Sequence, residues 1–113
     1  MYIADGKTNG PAFSWPDGKR IAVMVTFDYD AEFLRISRAK SKGTSIGFTD
    51  FSRGQYGPHE GLARCLDMLD TMNIKSTFFV PGAVIETYRD TVEEIHRRGH
   101  ELACHGYRHE SDP

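Results

Sequence analysis

The chain has 113 residues, 39% of them hydrophobic and 27% charged, with a formal net charge of −2, which suits one small soluble domain. That balance gives no electrostatic case for nucleic acid or a membrane surface, and no segment approaches the roughly 20 apolar residues of a transmembrane helix. Two cysteines, Cys65 and Cys104, are too few for a disulfide framework and form no CxxC pair.

Residues 1–19 contain Gly6, Gly10, Pro11, Pro16 and Gly18 and predict an irregular lead-in, with Phe13 and Trp15 plugging it onto the core. Met1 to Gly10 is polar and lacks an apolar h-region, so the expected compartment is the cytoplasm. Residues 20–28 form an Ile- and Val-rich apolar run and predict a buried strand, ending in the polar cluster Asp28-Tyr29-Asp30. Residues 31–57, with Gly43, Gly47, Gly54 and Gly57, predict a long loop that covers a compact substrate or builds a subunit contact, with a helical turn or two over 31–39.

From Pro58 the spacing of Leu62, Cys65, Leu66, Leu69 and Met72 predicts a helix, with Asn73 as a left-handed terminator. Ile74 to Val80 is a second expected strand, closed by Pro81-Gly82. Val84, Ile85, Tyr88, Val92 and Ile95 predict the buried face of a second helix, ended by Arg97, Arg98 and Gly99. His100 to Cys104 is the third strand, leading into His105-Gly106-Tyr107-Arg108-His109-Glu110. Strand alternation points Cys104 away from His105.

This alternation of strands and helices predicts an α/β fold with parallel strands and intervening helices. Sites in such folds lie at the carboxyl ends of the strands, where Asp28, Pro81-Gly82 and His105 all fall. Asp28 and Asp30, two residues apart, can share a face, one binding a metal while the other accepts a proton; an Asp pair capping a turn is the plain alternative. His105 and His109 have HxxxH spacing, and on a helical turn both would reach one metal; two surface histidines are the alternative there. Asp30, His105 and His109 together would make a set of two imidazoles and one carboxylate that leaves coordination positions open. It suits Zn²⁺, while Fe²⁺, Co²⁺ and Mn²⁺ also fit. His100, Glu101, His59 and His96 read as structural or surface residues. Glu32 and Glu110 read as partners for ligating histidines or as solvated groups.

Three segments together resemble the NodB-homology polysaccharide deacetylases, carbohydrate esterase family 4: Phe27-Asp28-Tyr29-Asp30-Ala31-Glu32, Ser76-Thr77-Phe78-Phe79-Val80-Pro81-Gly82, and Gly99 to Glu110. The spaced Asp-x-Asp, with Ser52 to Gly57, is similar to the branch holding peptidoglycan deacetylase-like proteins, cyclic imide hydrolases and allantoinase-like enzymes. The resemblance implies that Asp28 is the catalytic base and that Asp30, His105 and His109 hold the metal. It further implies hydrolysis of an amide carbon–nitrogen bond through a tetrahedral intermediate, with backbone N–H groups near Tyr107 helping to hold the oxyanion.

The family fold is a distorted (β/α) barrel of about seven strands, so residues 1–113 would be its N-terminal portion. The later family motifs, an orienting Arg and a general-acid His, have no counterpart here. Three strands alone would leave a bare sheet edge and a half-covered core, which predicts a homo-oligomer or association with a C-terminal part. The expected substrate is an N-acetylated sugar or a small amide or cyclic imide. The alternative is a truncated, non-catalytic homologue that binds metal or a partner chain.

Overall fold

The computed structural model describes residues 14–110. After a short 3₁₀ turn at Pro16–Gly18, the elements are β1 (Thr26–Asp28), α1 (Phe33–Ser41), α2 (Phe48–Tyr56), a π turn at Gly57–Gly61, α3 (Leu62–Met72), β2 (Thr77–Val80), α4 (Gly82–Thr87), α5 (Arg89–Arg97) and β3 (Glu101–Cys104). The three strands form one parallel sheet in the order β1-β2-β3, with Thr26, Thr77 and Glu101 level with one another. This is the α/β arrangement expected from the alternating pattern.

The core lies on one face of the sheet. Phe78 and Val80 of β2 point into it and meet Leu62, Leu66 and Leu69 of α3, Val84 of α4, and Val92 and Ile95 of α5. Those helical residues recur every three or four positions, so each helix turns one stripe inward. Fully burying one such side chain stabilises the fold by roughly 1.5–3 kcal/mol. Arg98 ties the end of α5 to α3, donating to Asp67 at 2.7 Å and Asp70 at 2.9 Å. By alternation Asp28 and Phe79 belong to the opposite face, where Asp28 is exposed and Phe79 half-buried. Asn73 (φ 53°) and Gly99 (φ +78°) end their helices in the left-handed region, as their residue types predict.

Five expectations are corrected. The strand expected over 20–28 pairs only over Thr26–Asp28, and Ile21, Val23 and Met24 are 73%, 79% and 86% exposed. Apolar runs of this kind belong in strands covered on both faces, and among the described residues β1 is an edge strand bonded only to β2. The loop expected over 31–57 is largely helical, as α1 and α2. The helix expected from Pro58 begins ten residues earlier, at Phe48, and passes through a π turn, which absorbs Pro58 without ending the helix. The helix expected to carry Val84 through Ile95 breaks at Tyr88 (φ −123°, ψ 46°), leaving Ile85 43% exposed. Trp15 is 39% exposed rather than a full plug, and Phe13 lies outside the described residues.

Candidate metal centre

Asp30 lies two residues past the end of β1 and precedes a sharp reversal at Ala31 (φ 50°) that launches α1. His105 follows β3 directly, its N–H donating to the Val80 carbonyl. The segment after it is an irregular turn rather than the helical turn that HxxxH spacing suggested. Its peptide groups are committed elsewhere: the Gly106 and Tyr107 carbonyls accept from Gly82 and Ala83 at 3.0 and 2.8 Å. Glu110 Oε2 accepts from the Tyr107 and Arg108 N–H groups at 3.2 and 2.9 Å. With Gly106 (φ 69°) and His109 (φ 57°) in the left-handed region, the chain doubles back and returns His109 to face His105. Ser37 of α1 donates to the His109 carbonyl at 2.7 Å and fixes that return.

The outcome is a compact triad. Asp30 Oδ1 lies 3.5 Å from His105 Nε2, and Asp30 Oδ2 lies 3.8 Å from His109 Nε2. One donor atom from each residue falls within 4.8 Å of the others. The imidazole rings stand edge to face, centroids 4.8 Å apart. Burial pushes the Asp30 carboxyl above its ordinary range; His109 and His105 pull it back, Asp28 raises it further, and Arg38 lowers it. Among the described residues, the buried Asp30 Oδ1 and His105 Nε2 have no hydrogen-bond partner. Orphaned buried polar atoms cost about 1–3 kcal/mol each, so two facing one another call for a shared partner.

A divalent cation fits that demand. Donors about 2.0–2.2 Å from one tetrahedral ion lie roughly 3.3–3.6 Å apart, so the two Asp30–His separations already come close and the widest donor pair, within 4.8 Å, needs to draw in by about 1–1.5 Å. Two nitrogens and one oxygen leave further coordination positions open. Asp28, expected beside the triad, is exposed on the open face of the sheet, close enough to raise the pKa of Asp30.

Other expectations resolve differently. Glu32, expected near a ligating histidine, is 5% exposed and receives the Tyr88 hydroxyl on both carboxylate oxygens, at 3.0 and 2.9 Å. Glu110 staples its own turn and bonds neither histidine. The Tyr107 N–H, expected as an oxyanion donor, is directed at Glu110, and its hydroxyl donates to Glu86 at 2.8 Å. His100 is buried, with Nδ1 accepting the Ser76 N–H at 3.2 Å, a structural role as read from the sequence. His59 and His96 are exposed.

Three supports for the triad were not legible: Tyr88 on Glu32, Ser37 on His109, and the approach of Gly54 to Glu32. A Cβ on Gly54 would stand 2.4 Å from Glu32 Cα. The only sequence signal was a glycine inside what proves to be a helix, and its partner lies outside that helix.

Comparison with known proteins gives a consistent result. The family model for polysaccharide deacetylase matches residues 16–112. The chain is 37% identical over 93 residues to a peptidoglycan deacetylase of Helicobacter pylori, covering 82% of this chain and 31% of that protein. It is 32% identical over 94 residues to a peptidoglycan deacetylase-like protein of Gibberella zeae, covering 81% and 27%. A crystal structure of a candidate polysaccharide deacetylase from Mycobacterium smegmatis superposes with a TM-score of 0.77 at 42% identity, over 92% of this chain and 36% of that one. The chain thus spans about a third of the length of these relatives.

Proposed function

Since the chain belongs to the polysaccharide deacetylase family, we propose that it contributes the metal-binding half of a hydrolase that cleaves amide carbon–nitrogen bonds, on an N-acetylated sugar or a small amide or cyclic imide. The observation that carries this reading is the convergence of Asp30, His105 and His109, with two of their buried donor atoms left without a partner among the described residues.

In this reading Asp30, His105 and His109 hold a divalent cation, with Zn²⁺ the first choice for the donor set. When bound, the cation supplies Lewis acidity, polarising a carbonyl and making a water easier to deprotonate. The remaining work belongs to the chain. Asp28 stands beside the triad on the open face of β1 and accepts the proton of the attacking water. Burial keeps Asp30 short of hydration, so its carboxylate gains more from a cation than an exposed one would. Glu110 and the first residues of α4 hold the turn that sets the angle between the two imidazoles. The open face of the sheet, with Phe79 on it, is the apolar floor on which an acyl group rests.

Metal titration followed by an activity assay tests the reading. Co²⁺ or Zn²⁺ binds one to one, Asp30→Asn and His109→Ala each abolish binding, and Asp28→Asn retains it while lowering turnover of an N-acetylated glycan at least ~100-fold. Metal binding that survives both Asp30→Asn and His109→Ala would refute the ligand assignment. Binding without turnover in the wild type would favour a non-catalytic homologue.

A further inference from the structure

A concavity of about 230 Å³ opens between α1 and the approach to α2. Arg35, Arg38 and Lys42 line one wall, with Thr44, Gly47 and Asp50 opposite. Three cations thus share the space with one carboxylate. Asp50 is divided between Arg35 at 3.4 Å and Arg53 at 3.9 Å, in exposed pairs of little strength. Among the described residues, the side chains of Arg38 and Lys42 make no ion pair and no hydrogen bond. An excess of unpaired cations in a concavity focuses the local field on an incoming anion. Gly47 caps α2 without a side-chain hydrogen bond, and a Cβ there would meet nothing within 4 Å, so that wall is open to a ligand.

Helix α1 serves both the concavity and the metal centre. Arg38 lines the concavity, and its neighbour Ser37 donates to the His109 carbonyl at 2.7 Å. One turn of α1 therefore faces the triad on one side and the cationic wall on the other. We propose that this cavity is a carboxylate subsite, which receives the acid group of a substrate whose amide lies at the triad. The assignment deepens, and rests on, the reading of the triad as an amide-hydrolase centre. A guanidinium fork pairs with both oxygens of a carboxylate, and Lys42 adds a point charge beside it. The shared chemistry is a molecule bearing both an amide and a carboxylate, supplied by an acidic sugar of a glycan or by a small amide acid.

Calorimetric titration of the zinc-loaded full chain decides the matter, with N-acetylmuramic acid, its neutral counterpart N-acetylglucosamine, and succinamate as probes. At least one acid binds about tenfold tighter than N-acetylglucosamine, the scale of one charge-assisted contact. The advantage shrinks at high salt and vanishes in the double variant R38Q/K42E. The acid that gains the advantage identifies the source. Equal binding of acids and neutral sugar, or an advantage that survives in R38Q/K42E, overturns the proposal. Zinc binding is measured on the same samples. If the wild type takes no zinc, the hydrolase reading fails by itself. The acid preference is then measured without metal: its presence in the wild type and loss in R38Q/K42E upholds a carboxylate site, and its absence overturns one.

Discussion

Gly54→Ala tests the mechanical link between α2 and the metal centre. The added methyl would sit 2.4 Å from Glu32 Cα, 2.8 Å from Glu32 Cβ and 3.0 Å from Glu32 N, where ordinary contact begins at 3.4 Å. Two backbones must therefore separate by about 1 Å. Overpacking of this kind costs about 1–3 kcal/mol. Moving Glu32 also breaks its hydrogen bonds from Tyr88 and strands a buried carboxylate, a further ~1.5–3 kcal/mol. Replacing a helical glycine by alanine returns about 1 kcal/mol. The net expected loss is about 1.5–5 kcal/mol by urea unfolding, a large share of the ~5–15 kcal/mol typical of a domain. Because Glu32 lies two residues from Asp30, Co²⁺ affinity falls with it by about 10–100-fold, the usual scale for residues that support a ligand. Tyr88→Phe removes the same hydrogen bonds, so the double variant is less destabilised than the sum of the singles. A loss below about 1 kcal/mol, unchanged Co²⁺ affinity, or strict additivity would refute the link.

Two further outcomes follow from other parts of the fold. Burial, with Lys75 adding to it, lowers the pKa of His100 below its ordinary value, and its Nδ1 must stay unprotonated to accept the Ser76 N–H. The unfolded chain therefore takes up that proton first. The stability it confers is fully present above about pH 6.5 and is lost as the pH falls from there through the folded pKa. Urea midpoints followed between about pH 8 and pH 5 should show this slope in the wild type and a shallower one in His100→Gln, whose amide oxygen can still accept; parallel profiles would refute it. In the exposed apolar run ahead of β1, Val23→Lys with Met24→Lys should lower the self-association measured by light scattering, since charge beside an edge strand opposes pairing with another copy. An unchanged mass distribution would show that this run does not drive self-association.

The sequence by itself determined the class of the fold and the identity of the clustered residues. Apolar runs alternating with helical spacings allow little but a parallel α/β sheet, and that topology sends residues after each strand to one end. Asp30 and His105 were thus bound to approach whatever the helix details. Asn73 and Gly99 likewise announced their helix ends, because a left-handed residue is a local requirement. What the sequence could not supply were facts held between distant segments. The bend that returns His109 depends on α4 taking the Gly106 and Tyr107 carbonyls and on Ser37 reaching across from α1. The fate of Glu32 depends on Tyr88, 56 residues away. The pairing of only three residues in the apolar run of β1 depends on what lies beside it, which no periodicity reports. Local physics sets periods and caps; only tertiary contact decides which polar group meets which, and which apolar face stays open.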